Sequence, residues 1–323
     1  MNVSERIDID KPLWDQSTYI GRLKHFAFIT DCRMIFVNDQ KLREAKQFCD
    51  DYKRGNIPTG TRMSDVIRAK QLRDGAFHSE TGELIPVITR LSFQMPTSVI
   101  LTTSMLACQK STLAIIIIQA VHQIHNAIVN DAYKSKLNGD DKSAKKAYLC
   151  AVATGSIMTI CCKRILAQKS YTFTRNLPFC AVTTGHIINL PVIRYKEIIT
   201  GIPIYMKDKT EPFMKSKVAA VKSICECLVS RMAMSIPCFL LIPIITQKLM
   251  PYCFSQRRPW ILIPIQTGLC AIGCIFAIPS ALAIFPERNS MSPILMKLHP
   301  SEYEEFKEHA KEHIDKVYYN KGL

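Results

Sequence analysis

Despite 13 cysteines, this chain has no pair of Cys-x2-Cys motifs, which excludes the common zinc-ribbon and zinc-knuckle arrangements. Cys225-x-Cys227 and the adjacent Cys161-Cys162 have the wrong spacing, and most other thiols, including Cys108, Cys150, Cys180, Cys238, Cys270 and Cys274, sit in apolar runs. There a free cysteine packs as a small hydrophobe. There is no Gly-x-Ser-x-Gly elbow, phosphate loop, dinucleotide fingerprint or metalloprotease helix. The chain therefore reads as a non-enzyme, with no catalytic residue, no cofactor and no metal site expected. Residues 1–30 lack the apolar core of a secretory signal, and Glu5, Asp8, Asp10 and Asp15 interrupt any basic amphipathic presequence. Targeting information for an organelle is then expected to be internal. No repeat with a period of roughly 20–50 residues and no low-complexity segment is present.

Basic residues outnumber acidic ones by 42 to 27, a net charge of +15. They lie on connecting segments, as with Lys163, Arg164, Lys169 and Arg175, not in one patch interleaved with aromatics. A nucleic-acid partner is not expected. Cations flanking apolar spans usually meet anionic head groups, so membrane lipids are the expected surroundings.

Apolar residues make up 48% of the chain but are strongly segregated. Residues 1–90 are charged and read as a soluble, membrane-apposed helical region, 91–285 as a transmembrane helical domain, and 286–323 as a soluble tail with a helix. Candidate spans are Thr97–Ala120, Ala147–Cys162, Asn176–Ile193, Leu228–Leu249 and Trp260–Phe285. The last has no charged residue over more than the roughly 20 residues needed to cross a bilayer. The expected fold class is all-α, a multi-span helical membrane protein with about five transmembrane helices. An odd number of spans places the tail opposite the amino-terminal region. With that count the positive-inside rule puts residues 121–146 and the tail on the inner side of the membrane.

One apolar segment carries a row of polar side chains. Gln119, His122, Gln123, Asn126 and Asn130 recur at spacings of three, four and seven, so they share a helical face. Ile118, Val121, Ile124 and Ile128 fall mostly off it. Amides and imidazoles are costly in hydrocarbon, so this face should look into protein or a wet cavity.

Elsewhere, Thr18 predicts a helix cap leading to Phe28, and Asn38 caps Asp39–Arg54, where Leu42, Ala45, Phe48 and Cys49 recur at three and four. A third helix over Asp65–Phe77 precedes the turn His78-Ser79-Glu80-Thr81-Gly82-Glu83. His78 beside Glu80 and Glu83 imitates an acid–base cluster, but a polar turn after a helix fits a structural or gating role. Prolines 96, 178, 191, 237, 243, 264 and 279 each remove a backbone donor from an apolar segment and favour kinks. Thr-Gly pairs at 154–155, 184–185 and 267–268 offer small surfaces for close helix approach. Ser301–Glu304 has capping-box spacing and predicts a charged helix to about Lys316.

Several blocks in order resemble the sideroflexins, a family of mitochondrial inner-membrane proteins. They are Trp14-Asp15-Gln16-Ser17-Thr18 with Gly21-Arg22 and His25-Phe26; Ala76-Phe77-His78 with Thr81-Gly82-Glu83; Gln123, Asn126-Ala127 and Asn130; Ile188-Asn189-Leu190-Pro191; Pro264-Ile265-Gln266; Phe285-Pro286; and Tyr319-Asn320-Lys321-Gly322-Leu323. The similarity covers almost the whole chain, and its amino-terminal half is most similar to the sideroflexin-2 branch. The resemblance implies a multi-pass protein of the mitochondrial inner membrane that carries small neutral amino acids, serine foremost, for one-carbon metabolism. It also implies a link to iron and haem homeostasis. Two places depart from the family pattern. The usual His-Pro-Asp-Thr-Gly reads His78-Ser79-Glu80-Thr81-Gly82, and the usual Asn-Gln-Ser-Phe-Asn reads His122-Gln123-Ile124-His125-Asn126.

A zwitterion shed of water needs acceptors and donors. Gln119, Gln123, Asn126, Asn130, Asn189 and Gln266 offer both, and His122 one of each. Interhelical hydrogen bonding is the competing use of the same groups, and for Gln266 it fits better. His122 and His125 are close enough on a helix to share a metal, but without a third ligand a titratable path-lining role fits better. Arg231 suits a substrate carboxylate, though near a span end its ordinary role is reaching for head groups. The rival to a transporter is a non-transporting scaffold that holds protein partners through the amino-terminal region.

Overall fold

The computed structural model describes residues 7–56, 60–78, 81–108, 111–133, 153, 157, 160–161, 177–206, 211–249, 261–309 and 314–322. The predicted span Ala147–Cys162 and the pair Thr154-Gly155 lie almost wholly outside them.

Within residues 7–90, the helices Asp39–Arg54 and Met63–Ala76 share a core, while Phe26 and Ile29 of the helix before them join the core of the apolar part. Helix α1 is Tyr19–Ile29, with the Thr18 hydroxyl accepting from Gly21 N. Helix α2 is Asp39–Arg54, capped by Asn38 and closed by Gly55 at φ 89°, a left-handed conformation that glycine adopts without penalty. Its apolar face buries Leu42, Ala45, Cys49 and Tyr52 against Val66, Ala69 and Leu72 of α3, Met63–Ala76. Full burial of a leucine such as Leu42 contributes about 1.5–3 kcal/mol. Burial also pushes the Cys49 thiol up to about 11. Arg90, almost fully buried, joins this bundle to the membrane part, donating to Ile85 O at 2.7 Å and to Asp39 Oδ1 at 3.0 Å.

The membrane part starts with α4, Leu91–Ala107, and α5, Thr112–Tyr133. A single span over Thr97–Ala120 was expected; the chain instead breaks between Ala107 and Thr112. Cys108 N ends α4 on Ser104 O, and the Ser111 hydroxyl accepts from Ala114 N to start α5. The break falls where Gln109-Lys110-Ser111 interrupts the apolar run in sequence. Next come α6, Leu177–Ile193, and the short α7, Tyr195–Thr200. Helix α8, Lys217–Ile236, runs through a π-turn at Pro237–Leu241 into α9, Ile242–Leu249, so this span is longer than Leu228–Leu249. Helix α10, Leu262–Leu282, agrees with the expected last span.

Three of these are long and apolar enough to cross a membrane: Leu113–Asn130, Lys217–Thr246 and Leu262–Leu282. Only about a third of each apolar stretch is buried within the protein, and Val121, Ile124 and Ile128 are nearly half exposed. That is the pattern of helices whose outer faces meet lipid. The chain is thus a multi-span helical membrane protein, as its segregated hydropathy predicts.

A small sheet, unexpected in a helical reading, closes the end of the molecule that carries the tail. Its order is β2–β1–β4–β3, with β1 at Ile202–Tyr205, β2 at Pro212–Ser216, β3 at Arg288–Met291 and β4 at Val317–Asn320, all neighbours antiparallel. The tail helix α11, Pro300–His309, ends earlier than Lys316. Glu302 caps α8 from a distance, accepting from the Ser216 hydroxyl and from Lys217 N.

The tail and the amino-terminal bundle lie at the same end, not at opposite ends. Arg22 of α1 donates to Ala283 O just past α10 at 2.8 Å, and Lys321 N bonds Glu287 O at 2.8 Å. Helices α4 and α5 form a hairpin that returns to the same end: Tyr133 Oη, at the end of α5, accepts from Leu91 N, at the start of α4.

Candidate functional site

Five helical segments, α4, α5, α6, α8 and α10, surround a cavity of about 60 Å³ inside the membrane part. Its polar wall comes from Gln94, Ser98 and Thr102 of α4, His122 and Asn126 of α5, His186 of α6 and Arg231 of α8. Val182, Phe239 and Ile278 supply apolar wall.

A chain of hydrogen bonds runs along α5 at this wall. Asn126 Nδ2 lies 3.4 Å from His122 Nε2, and Asn130 Nδ2 donates to Asn126 O at 2.7 Å. Arg231 Nη2 donates to Asn130 Oδ1 at 2.8 Å. With Asn126 donating, His122 Nε2 is the acceptor and its ring proton sits on Nδ1, an assignment made from the network. That buried Nδ1 has no partner among the described residues. The His186 ring stands edge-on to His122, centroids 5.6 Å apart.

Of the predicted site residues, His122, Asn126, Asn130 and Arg231 are thus brought together. Arg231 does not reach for a head group; it points inward to Asn130. Glu226, five residues before it, binds Tyr319 Oη and Asn289 Nδ2, each at 2.8 Å, at the sheet end. His125 lies 3.2 Å from Ile88 O, so it does not converge with His122 on one ion, although its ring reaches the cavity wall.

Gln119 and Gln123 form a second group, in the tight seam between α5 and α6, and Asn189 is buried one turn after Gly185 on α6. A Cβ on Gly185 would stand 2.5 Å from Gln123 Nε2 and 2.9 Å from Gln119 Nε2. Gln119 is completely buried with both amide atoms unpartnered among the described residues, as are both amide atoms of Asn189 and Nε2 of Gln123. Such groups cost roughly 1–3 kcal/mol each when nothing meets them. Gly268, by contrast, approaches nothing. Gln266 is buried on α10 but is not on the cavity wall.

The turn with His78, Thr81, Gly82 and Glu83 is a knot at the end of α3. His78 N bonds Glu83 O and Gly82 N bonds His78 O, both at 2.9 Å, with Gly82 at φ 64°. Thr81 N donates to His78 Nδ1 at 3.4 Å, and Lys46 Nζ reaches Gly82 O at 2.5 Å. His78 and Gly82 border a separate cavity of about 580 Å³ between the amino-terminal bundle, Tyr133 and the tail. Sequence reasoning missed Gln94, Ser98 and Thr102 of α4, and also His186. Its signal was a lone ring in an apolar helix, three residues before Asn189.

The sequence that builds this cavity has matches among known proteins over nearly its full length. The Sideroflexins family model matches residues 8–323. The chain is 35% identical over 327 residues to Sideroflexin-2 of Drosophila melanogaster, covering 99% of both chains. It is 34% identical over 322 residues to Sideroflexin-1 of Homo sapiens and 35% identical over 327 residues to Sideroflexin-3 of Rattus norvegicus, each covering 98% of both chains. No solved structure matches it. With blocks from Trp14 to Leu323 in order and a family match that leaves out only the first seven residues, the chain belongs to the sideroflexin family.

Proposed function

We propose that this protein carries a small neutral amino acid across the mitochondrial inner membrane, serine foremost, in supply of one-carbon metabolism. The observation that carries this reading is the Asn126–Asn130–Arg231 chain beside a cavity in the membrane interior. A carboxylate suits the Arg231 guanidinium and the proton on His122 Nδ1, an ammonium suits the amide oxygen of Asn126, and Asn130 holds the guanidinium in place. A volume of about 60 Å³ holds roughly four to six waters, which favours a substrate with a small side chain. Gln119, Gln123 and Asn189 are the closed part of the same path; parting α5 from α6 would give their unpartnered amides water or substrate to bind. Purified protein in vesicles should take up labelled serine saturably, in competition with unlabelled serine. Uptake no faster than in empty vesicles, from protein shown to be folded, would reject serine.

The close packing at Gly185 favours a second reading, in which the seam is helix-to-helix adhesion and the protein is a scaffold for partners at its amino-terminal bundle. A scaffold should keep stoichiometric partners through purification in mild detergent and show no uptake.

A further inference from the structure

Three of the buried thiols are not scattered through the core. Cys270 and Cys274 lie one turn apart on α10, and Cys274 Sγ is 3.5 Å from Cys238 Sγ in the π-turn after α8. Cys238 and Cys274 are almost fully buried from outside, at 4% and 2% exposure, yet both stand on the wall of the 60 Å³ cavity. A buried cysteine is usually just filler. These two differ because their sulfurs touch, they belong to different helices, and a polar cavity reaches them. A disulfide needs its sulfurs at about 2.05 Å, a closure of about 1.5 Å that side-chain rotation and small backbone shifts supply. The backbone at Cys238 is suited to such a shift. Pro237 has no N–H, and Ile242 N bonds Pro237 O five residues back, so the regular helical ladder is interrupted there.

We propose that Cys238 and Cys274 are a peroxide-sensitive dithiol that closes to a disulfide across the cavity wall and pins the π-turn to α10. The oxidant is hydrogen peroxide, small and uncharged enough to enter the cavity. One thiol is oxidised to a sulfenic acid as the peroxide O–O bond breaks and one water leaves. The second sulfur attacks the first, the S–O bond breaks, and the hydroxyl leaves as a second water with the second thiol's proton. Two electrons pass from the sulfurs to the peroxide, and a dithiol reductant reverses the step. The consequence for transport rests on the function proposed above: a linked protein cannot move the π-turn against α10 and should hold its cavity in one state.

The test uses the full chain in vesicles, exposed to hydrogen peroxide, alkylated and digested with trypsin without reductant. Wild type should give a cross-link between peptide 232–248, which carries Cys238, and the α10 peptide with Cys270 and Cys274. The link should persist in Cys270→Ser, vanish in Cys238→Ser and Cys274→Ser, and open with dithiothreitol. Serine uptake by wild type should fall to the level of empty vesicles on oxidation and return on reduction, while uptake by Cys274→Ser should not respond to peroxide. No link in folded wild type, or a link that survives Cys274→Ser, overturns the proposal. Full uptake by a linked, active protein overturns the pinning. A link that forms in protein with no uptake before oxidation counts against the transport reading and leaves the dithiol standing.

Discussion

Arg231 and Asn130 are 101 residues apart in the chain and bonded at 2.8 Å across the interior of the membrane part. Asn130 uses its other amide atom on Asn126 O, so both halves of its side chain are engaged. Asn130→Leu removes both bonds and should lower stability in detergent by about 1.5–3 kcal/mol, the range for a hydrogen bond to a charged group. Asn130→Asp keeps an acceptor for Arg231 but loses the donor to Asn126 O, and should melt between Asn130→Leu and wild type. It also neutralises the guanidinium, so serine uptake should be lost. Melting and uptake measured on one preparation of each variant check this pair of outcomes.

Asn126→Leu tests the cavity wall itself. Leucine is at home beside the apolar wall, so abundance and membrane insertion should be unchanged while uptake disappears. Under the adhesion reading, the same change lowers stability by about 0.6 kcal/mol, up to about 2, and leaves uptake per folded molecule intact.

Gly185→Ala places a methyl group against Gln123 Nε2 and Gln119 Nε2. Both are ends of flexible side chains, so the cost should sit at the low end of overpacking, about 1 kcal/mol. Gln123→Ala in the same chain opens the space and should recover most of it. A double variant as unstable as the sum of the two singles would place the strain elsewhere.

Glu302→Ala deprives the first turn of α8 of its acceptor at Ser216 and Lys217 N. Loss of a helix cap costs about 0.5–2 kcal/mol, and this one also favours the positive end of the helix. Thermal melting in detergent should fall accordingly, while Ser301→Ala, on the neighbouring position, should not move it.

Tags placed at the two ends of the chain should be accessible from the same side of a sealed membrane, because the amino-terminal bundle and the tail meet at the end of α10. Protease added to one face should remove both tags or neither.

Much of this architecture was legible in local chemistry. Asn38 and Gly55 bracket α2 to the residue, and Thr18 marks the start of α1, because caps and amphipathic spacing act over a few residues. The polar face of α5 was legible from helical periodicity for the same reason. Its division was not. Gln119 and Gln123 turn toward Gly185 while His122 and Asn126 turn toward the cavity, and that depends on where neighbouring helices sit. The break at Ser111 did leave a mark, since Gln109, Lys110 and Ser111 interrupt the apolar run, but averaging over a span-length window conceals three polar residues between two long apolar stretches. The sheet was hidden because its strands are four or five residues long and their partners lie far along the chain. The inward turn of Arg231 depends on Asn130, which its own neighbours in sequence do not reveal.

The place of β4 between β1 and β3 has a consequence for the order of assembly. Lys321 O is held by Arg194 Nη1 at 3.0 Å, 127 residues away, and by Ser223 Oγ at 2.9 Å. During synthesis, β1 and β2 emerge long before the strand that joins them to β3, and every apolar span precedes it. The sheet therefore closes only after α10 has been made, a late, long-range step of the kind that folds slowly. Until then Glu226 lacks its bond from Tyr319 and an edge of β1 is open to other chains. Quality-control proteases should thus meet a nearly complete membrane domain with an unfinished rim, and chains shortened by these few residues should be degraded after insertion rather than before it.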